Sequence, residues 1–277
     1  MTTMSATQFD FLCDLIRTES AIVLEAGKEY LVESRLAPIA RREGLGSVGD
    51  LVQRLTTSPA IALRTEIVDA MTTNETSFFR DIHPWQTLRE QILPDLLGAR
   101  RAVRRLNIWC AACSSGQEPY SLAMLLRDDF PEESSSWNIR IMATDLSESM
   151  VNRCREARFS QLEVNRGLPA AMLMRHFTRD GANWRIDDKI RRMVEVRPAN
   201  LVVPSSLPQM GGFDLVMIRN VLIYFDDATK QSILTGIRGQ MKNDGLLMLG
   251  SSEVSTGLAS GFVRHQTGRT IYFRPAS

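Results

Sequence analysis

The sequence lacks long hydrophobic runs, an excess of one charge and a basic N-terminal segment, and each absence excludes a class of protein. Apolar runs such as residues 246–249 are far shorter than the roughly 20 residues that a membrane helix needs. Thirty-three Lys and Arg residues stand against 32 Asp and Glu residues, which argues against a protein that coats nucleic acid. The N-terminus has an acid at Asp10 and no basic region, so we expect no signal peptide and a cytoplasmic location.

Cysteine is also scarce. The chain contains four cysteines and shows no disulfide framework. Cys110 and Cys113 have the spacing of half a zinc site, but the second pair or the histidines that would complete it are missing. We therefore expect no metal, and we interpret these two cysteines as small residues around a tight turn.

The N-terminal quarter predicts helices. With 44% apolar and 23% charged residues, the 277-residue chain has an ordinary globular composition. Apolar residues recur at helical spacing over residues 8–23, 29–42 and 48–55. We expect Pro38 to interrupt the second helix, Ser47 to cap the third, and Pro59 to open a fourth that runs to residue 71.

After Pro84, apolar and β-branched blocks alternate with helical blocks, which is typical of a doubly wound parallel α/β sheet. The predicted strands are residues 106–112, 139–145, 194–197, 213–219, 245–250 and 270–274, and the predicted helices between them are 119–127, 147–156 and 227–241. Residues 158–192 fit this alternation poorly, so we interpret them as an insertion on the sheet.

The turn after the first strand indicates a ligand site. It contains one glycine, Gly116, and is therefore a poor match to the G-x-G-x-x-G dinucleotide fingerprint. Glu118 would repel a pyrophosphate but attract an ammonium group. Asp145 ends the second strand, where a carboxylate can accept both hydroxyls of a ribose. Together the two acids favour S-adenosylmethionine over NAD or ATP.

The same two acids have a simpler interpretation. Asp145 could cap the helix that begins near Ser147, and Glu118 could be a solvated acid in a first helical turn. Spacing alone leaves both interpretations open.

Longer motifs carry a family resemblance. They are NETSFFR at 74–80, SGQEPYS at 115–121, ATDLS at 143–147 and IRNVLIYF at 218–225, with YLVESRL at 30–36 in the helical region. In order and spacing they closely resemble the CheR-type chemoreceptor glutamate methyltransferases, and the resemblance covers nearly the whole chain.

The resemblance implies a class I, Rossmann-like methyltransferase sheet with an all-helical N-terminal domain and a small inserted β-subdomain. It implies a receptor-docking domain over residues 1–75 and a catalytic domain over 76–277, with the β-subdomain at 158–192. The implied reaction moves the methyl group of S-adenosyl-L-methionine to glutamate side chains in the cytoplasmic helical bundle of chemoreceptors. The products are glutamate methyl esters, which serve sensory adaptation, and S-adenosyl-L-homocysteine.

The resemblance also implies site residues. The implied cofactor contacts are Asn74, Thr76, Arg80, Glu118, Asp145, Asn200, Leu201, Arg219 and Asn220. Arg80 and Tyr224 are the expected catalytic residues, Arg80 holding the substrate carboxylate and Tyr224 orienting it or the methyl group. Tyr224 could instead be an aromatic side chain that packs beside Phe225.

Two regions of the sequence bear on binding to a receptor. The basic residues Lys28, Arg35, Arg41, Arg42, Arg54 and Arg64 would favour an acidic receptor, although interspersed acids are also compatible with an ordinary solvated face. The turn over residues 178–184 is shorter than the corresponding loop of members that bind a receptor pentapeptide, so we expect no such tether. We expect a monomer that neither binds nucleic acid nor inserts into membranes.

Two other functions would use the same cofactor site. One is a methyltransferase for nucleic acid or a small molecule, which is disfavoured because the sequence has no Asn-Pro-Pro-Tyr or Asp-Pro-Pro-Tyr motif. The other is a non-catalytic module that only binds S-adenosylmethionine, which is disfavoured because the whole set of motif residues is intact.

Overall fold

A computed structural model of the chain describes residues 4–57, 60–253 and 261–276. The chain divides into two compact units. One comprises Met1–Thr73 with Tyr224–Thr229, and the other comprises Asn74–Ile223 with Lys230–Ser277. Within the described ranges, no helix combines the length and the apolar character needed to cross a bilayer.

The first unit is built from helices. Its described residues form α1 (Ala6–Ser20), α2 (Glu29–Arg42), α3 (Val48–Thr57) and α4 (Ile61–Met71). Helix α1 begins with a capping box in which Ser5 and Gln8 satisfy each other's backbone N–H groups. The four helices share one apolar core, in which side chains such as Leu12, Leu36 and Ile67 are fully buried.

Two predicted helix features are wrong. Helix α1 ends at Ser20 rather than residue 23, because Ala21 adopts a left-handed conformation with φ 59° and its N–H closes the helix on the Arg17 carbonyl. Helix α2 runs through Pro38 without a break. The burial of Val32 and Leu36 on this helix outweighs the cost of about 3 kcal/mol that an internal proline imposes. The predicted helix start at Pro59 lies outside the described residues.

The described residues of the second unit contain a seven-stranded sheet with the order β6-β2-β1-β7-β8-β10-β9. The strands are β1 (Arg105–Ala111), β2 (Asn138–Asp145), β6 (Val194–Pro198), β7 (Phe213–Ile218), β8 (Met241–Leu249), β9 (Phe262–Thr267) and β10 (Thr270–Pro275). The pairs among β6, β2, β1, β7 and β8 are parallel, whereas β10 is antiparallel to both its neighbours. The chain order reverses between β1 and β7, which is where such sheets bind ligands.

Helices accompany this sheet. They are α5 (Ile82–Thr87), α6 (Leu93–Arg100), α7 (Gln117–Asp129), α8 (Pro131–Ser136), α9 (Glu148–Glu156) and α13 (Asp227–Gln240), with a π-helical turn at Leu88–Ile92 and 3₁₀ turns at Pro204–Ser206 and Leu222–Tyr224. The six predicted strands are present. Strand β9 was not predicted because its polar side chains carry no clear apolar alternation, and β8 begins four residues before its predicted start.

The region that we interpreted as an insertion contains a second, three-stranded sheet. Strands β3 (Arg158–Ser160), β4 (Phe177–Asp180) and β5 (Asn183–Ile186) pair in the antiparallel order β3-β5-β4, accompanied by α10 (Gln161–Asn165), α11 (Ala170–His176) and α12 (Asp188–Arg191). The ring of Phe78 packs edge-on against Phe159 and Phe177 of this region. Arg166 forms an ion pair with Glu75, so this region contacts the NETSFFR segment through both apolar packing and an ion pair.

Gly167 allows the closest part of this contact. It has φ +83°, and a Cβ atom there would overlap the carbonyl oxygen of Phe78. We predict that Gly167→Ala lowers the free energy of unfolding by about 3 kcal/mol or more, because steric overlap adds to the backbone strain. Gly181→Ala is the matched control, since Gly181 has φ +61° but an added Cβ meets no atom within 4 Å.

The control should lose only about 1 kcal/mol from its left-handed conformation. Urea unfolding of the two variants measures the difference. Equal losses would show that Gly167 does not press on the NETSFFR segment.

Candidate active site

The site is built around a left-handed turn between β1 and α7. Ala112, Ser114 and Gly116 have φ of 56°, 50° and 100°. A Cβ atom on Gly116 would lie 2.7 Å from Cys154 Sγ and 3.0 Å from the Tyr120 ring, so no other residue fits. Conformations of this kind cost non-glycine residues free energy and cluster at functional sites, which is where this turn lies in the fold.

Ser114 connects three of the sequence motifs. Its N–H donates to Asp145 Oδ2 at 2.7 Å, and its hydroxyl donates to the Asn74 carbonyl at 2.9 Å. The N–H of Phe79 donates to Ser121 Oγ at 3.0 Å. The segments at 74–80, 114–121 and 145 are therefore held together by direct hydrogen bonds.

Asp145 lies at the tip of β2 as predicted and is 7% exposed. Its Oδ1 accepts from the Ser147 N–H at 2.9 Å. The cap of α9 is the Ser147 side chain, which accepts from the Met150 N–H, so the alternative in which Asp145 caps this helix is wrong. A carboxylate has about four acceptor positions, so Asp145 can accept more than these two N–H donors.

Arg219 binds three residues of the site. Its side chain is 2% exposed, and Nη1 donates to Glu118 Oε2 at 2.8 Å. Nη2 donates to the Arg80 carbonyl at 2.8 Å and to Asp81 Oδ2 at 3.0 Å. Nε is buried and has no hydrogen-bond partner among the described residues, so one donor of this guanidinium remains for an acceptor.

Glu118 is a largely buried acid rather than a solvated one. Its side chain is 14% exposed, which excludes the solvated alternative. Burial raises the pKa of this carboxyl above its ordinary value, Arg219 opposes that rise, and the charge of Glu253 adds to it. The ionised form is therefore held in a setting that favours an additional positive charge nearby.

Asn200 and Leu201 follow strand β6. The side-chain oxygen of Asn200 accepts from the Val202 N–H at 3.2 Å, and its own N–H donates to Ser206 Oγ at 3.0 Å. These bonds form a local polar turn that fixes the backbone of both residues at the carboxyl edge of the sheet.

The remaining predicted residues occupy different positions. Asn220 follows β7 and has φ 59°. Thr76 is half-buried in the NETSFFR segment, where Arg80 Nη1 donates to the Glu75 carbonyl at 2.8 Å. Tyr224 ends a 3₁₀ turn and belongs to the helical unit, where its carbonyl accepts from the Val23 N–H at 3.0 Å.

Two acids of the site were not predicted. One is Asp81, which has φ 61° and forms an ion pair with Arg219. Glu253 is 1% exposed and accepts four backbone N–H groups, from Asn220, Val221, Leu222 and Gly250. The one sequence signal for Glu253 is its place three residues after Gly250, just beyond a buried strand.

These residues fit S-adenosylmethionine on two observations. Arg80 and Arg219 stand against the four carboxylates of Asp81, Glu118, Asp145 and Glu253, so the formal charge is negative. The ligand is a sulfonium with an ammonium and one carboxylate, and its net charge is positive. The unpartnered Nε of Arg219 supplies a donor for that one carboxylate. When bound, the group supplies a methyl on positively charged sulfur.

The raised pKa of Glu118 gives a pH prediction. Protonation removes the charge that attracts an ammonium group, so affinity for S-adenosylhomocysteine should fall as pH falls through this pKa, by about tenfold. The ligand-free chain should gain stability from the same protonation, because a raised folded pKa means that the folded state binds the proton more tightly. Calorimetric titration across a pH series measures both ligand affinity and its pH dependence.

Glu118→Gln should bind weakly and without this pH dependence. Glu90→Gln, on an exposed residue of the same unit, is the control and should behave as the unmodified chain. A flat affinity profile in the unmodified chain would contradict this role of Glu118.

Two family models together match most of the chain. The family model described as "CheR methyltransferase, SAM binding domain" matches residues 74–269, and "CheR methyltransferase, all-alpha domain" matches residues 7–72. Chemotaxis protein methyltransferase 1 of Pseudomonas aeruginosa is 42% identical over 98% of this chain and 99% of its own length.

Two further relatives cover nearly the same length. Chemotaxis protein methyltransferase Cher2 of Pseudomonas putida is 40% identical over 98% of this chain and 99% of its own. Chemotaxis protein methyltransferase 1 of Vibrio cholerae is 38% identical over 94% of each chain. With both family domains matched in order, the chain belongs to the CheR family of S-adenosylmethionine-dependent methyltransferases.

Proposed function

We propose that this enzyme methylates specific glutamate side chains in the cytoplasmic helical bundle of methyl-accepting chemoreceptors and thereby serves sensory adaptation. The observation that carries the proposal is the hydrogen-bond network in which Ser114, Glu118 and Arg219 connect four motifs of a chemotaxis methyltransferase at one acid-rich site. The names of the relatives, chemotaxis protein methyltransferase, support this substrate class.

The chemistry asks for positioning more than for proton transfer. A glutamate side chain is already ionised near pH 7, so its oxygen can attack a methyl group without a general base. The residues of the site have to hold the carboxylate in line with the methyl–sulfur bond at near-attack distance, which can supply several kcal/mol. A crevice whose segments are locked by hydrogen bonds suits that task.

The roles of individual residues follow the resemblance. We assign the ligand's carboxylate to Arg219, its ammonium group to Glu118 and its ribose to Asp145, with Asn74, Thr76, Arg80, Asn200, Leu201 and Asn220 completing the contacts. Arg80 also holds the substrate carboxylate, and Tyr224 orients that carboxylate or the methyl group through its hydroxyl.

Fewer basic side chains of the helical unit are available to a receptor than the number of Lys and Arg residues indicates. Arg42 pairs with Glu43 and Glu66, and Arg54 pairs with Glu43 at 3.0 Å. These ion pairs cancel much of the basic charge that the sequence places there. Arg41 is exposed and makes no ion pair with any residue that the structure describes, so we assign receptor docking chiefly to Arg41.

The remaining partner assignments are also proposals. Strands β4 and β5 are joined by a hairpin with only Gly181 and Ala182 between them, which supports the absence of a pentapeptide tether. We propose a monomer that binds no nucleic acid. We place the enzyme in the cytoplasm, because its proposed substrate is there and its four cysteines are free thiols.

The function is tested with methyl-labelled S-adenosylmethionine and membranes that bear chemoreceptors. The expected result is a labelled receptor band that releases volatile labelled methanol in alkali, because carboxyl methyl esters are hydrolysed there. Label that resists alkali would instead indicate N- or C-methylation. A receptor that stays unlabelled although ligand binding is demonstrated would favour a binding module.

In the same assay, Arg80→Ala and Tyr224→Phe should each lower kcat by about 10²-fold, because both remove groups that align the reacting atoms. The apparent KM for the receptor should change much less than kcat, because these residues align the reacting atoms and do not dock the receptor. An unchanged kcat in either variant would remove that residue from the catalytic role.

Docking is tested separately. Arg41→Glu should raise the apparent KM for receptor about tenfold without changing the affinity for S-adenosylhomocysteine, because charges at an interface rim act on encounter. Arg101→Glu makes the same charge change on an exposed arginine of the other unit and should leave KM unchanged. An equal rise in KM in the two variants would show that the net charge of the protein, and not docking at Arg41, affects receptor binding.

A further inference from the structure

We propose that Glu253 is a positioning residue for cofactor binding, acting through the backbone of Asn220–Leu222. The inference rests on the proposed role of Asn220 as a cofactor contact.

The geometry is a carboxylate enclosed by main-chain donors. Oε2 accepts from the N–H of Asn220 at 2.7 Å and of Gly250 at 2.8 Å. Oε1 accepts from the N–H of Val221 at 2.8 Å and of Leu222 at 2.6 Å. Glu253 is 1% exposed, so water does not replace these bonds when they are lost.

The turn needs this acceptor. Asn220 has φ 59°, so the chain leaves β7 in a left-handed conformation, and the N–H groups of Asn220, Val221 and Leu222 all donate to Glu253. Successive N–H groups of this kind form a concave anion site, here filled by a side chain of the same protein. Without the carboxylate, buried donors would remain unpaired, and the turn would have no reason to keep its strained shape.

The neighbouring strand is fitted to the same carboxylate. A Cβ atom on Gly250 would lie 2.5 Å from Glu253 Oε2 and 2.8 Å from the Asn220 nitrogen. The absence of a side chain at Gly250 therefore lets the ends of β7 and β8 share one acceptor. Asn220 is held against two adjacent parallel strands rather than by its own loop alone.

Glu253 also acts by its charge. It lies close enough to Glu118 to raise the pKa of that carboxyl, so it contributes negative potential to the crevice where a positively charged ligand binds. The same residue thus shapes the turn and adds to the charge complementarity of the site.

The test compares two buried carboxylates associated with β7. Glu253→Gln replaces one acceptor oxygen by an NH₂ group that faces backbone donors. Asp214→Asn is the matched control, because Asp214 is fully buried at the other end of the strand and accepts from Arg100 at 2.5 Å, Lys242 at 2.8 Å and the Asn107 N–H at 2.8 Å. Both variants should lose thermal stability.

Only Glu253→Gln should lose affinity for S-adenosylhomocysteine, by about tenfold or more, whereas Asp214→Asn should stay within about twofold. Calorimetry at a temperature where both variants are folded measures this. Equal affinity losses in the two variants, or none in Glu253→Gln, would overturn the proposal.

A third variant separates this inference from the assignment on which it rests. Asn220→Gly keeps the left-handed conformation and removes only the side chain, so it should also lose affinity. Unchanged affinity in Asn220→Gly would refute the contact of Asn220, and with it the route through which Glu253 acts. A loss in Asn220→Gly with none in Glu253→Gln would refute Glu253 alone.

Hydrogen exchange of the unmodified, ligand-free chain gives a readout that does not depend on a folded variant. The amides of residues 220–222 should exchange at least 10²-fold more slowly than an open loop, because each is bonded to a buried acceptor. Exchange at the rate of an open loop would overturn the proposal.

Discussion

The left-handed turn between β1 and α7 is the constraint on which the site depends. A side chain at Gly116 would overlap Cys154 and Tyr120. The left-handed backbone at Ser114 lets its N–H donate to Asp145 while its hydroxyl donates to the Asn74 carbonyl. A turn of ordinary right-handed shape would direct these groups elsewhere. The strained backbone is stabilised by the hydrogen bonds that it makes, and those bonds bring distant motifs to one edge of the sheet.

Electrostatics give this edge its selectivity. Burying several acids together is costly unless each has partners, and here the partners are Arg219 and the backbone N–H groups. The balance is incomplete, since the pKa of Glu118 is raised and Arg219 keeps a buried donor without an acceptor among the described residues. A ligand with two positive groups and one carboxylate relieves both features, whereas a pyrophosphate would add repulsion.

The sequence predicted the fold class and the place of Asp145 at a strand tip, because strands and their ends are local features that a sequence displays. It could not predict the role of Glu253, whose four donors are main-chain N–H groups from the separate segments that follow β7 and β8. The sequence also led us to expect that Pro38 interrupts α2. The helix continues because its side chains pack in the core of the unit, and these tertiary contacts are not visible in the sequence. The sequence also could not show which basic residues of the helical unit are paired, since ion pairs such as Arg54 with Glu43 form only in the folded unit.

The most direct test is the structure of the chain with S-adenosylhomocysteine bound. We predict that the ligand lies at the carboxyl ends of β1, β2 and β7, in contact with Glu118, Asp145 and Asn220 and with an acceptor for Arg219 Nε, while the bonds from Glu253 to residues 220–222 are retained. A ligand bound at another edge of the sheet, or a turn at 220–222 released from Glu253 on binding, would contradict the account.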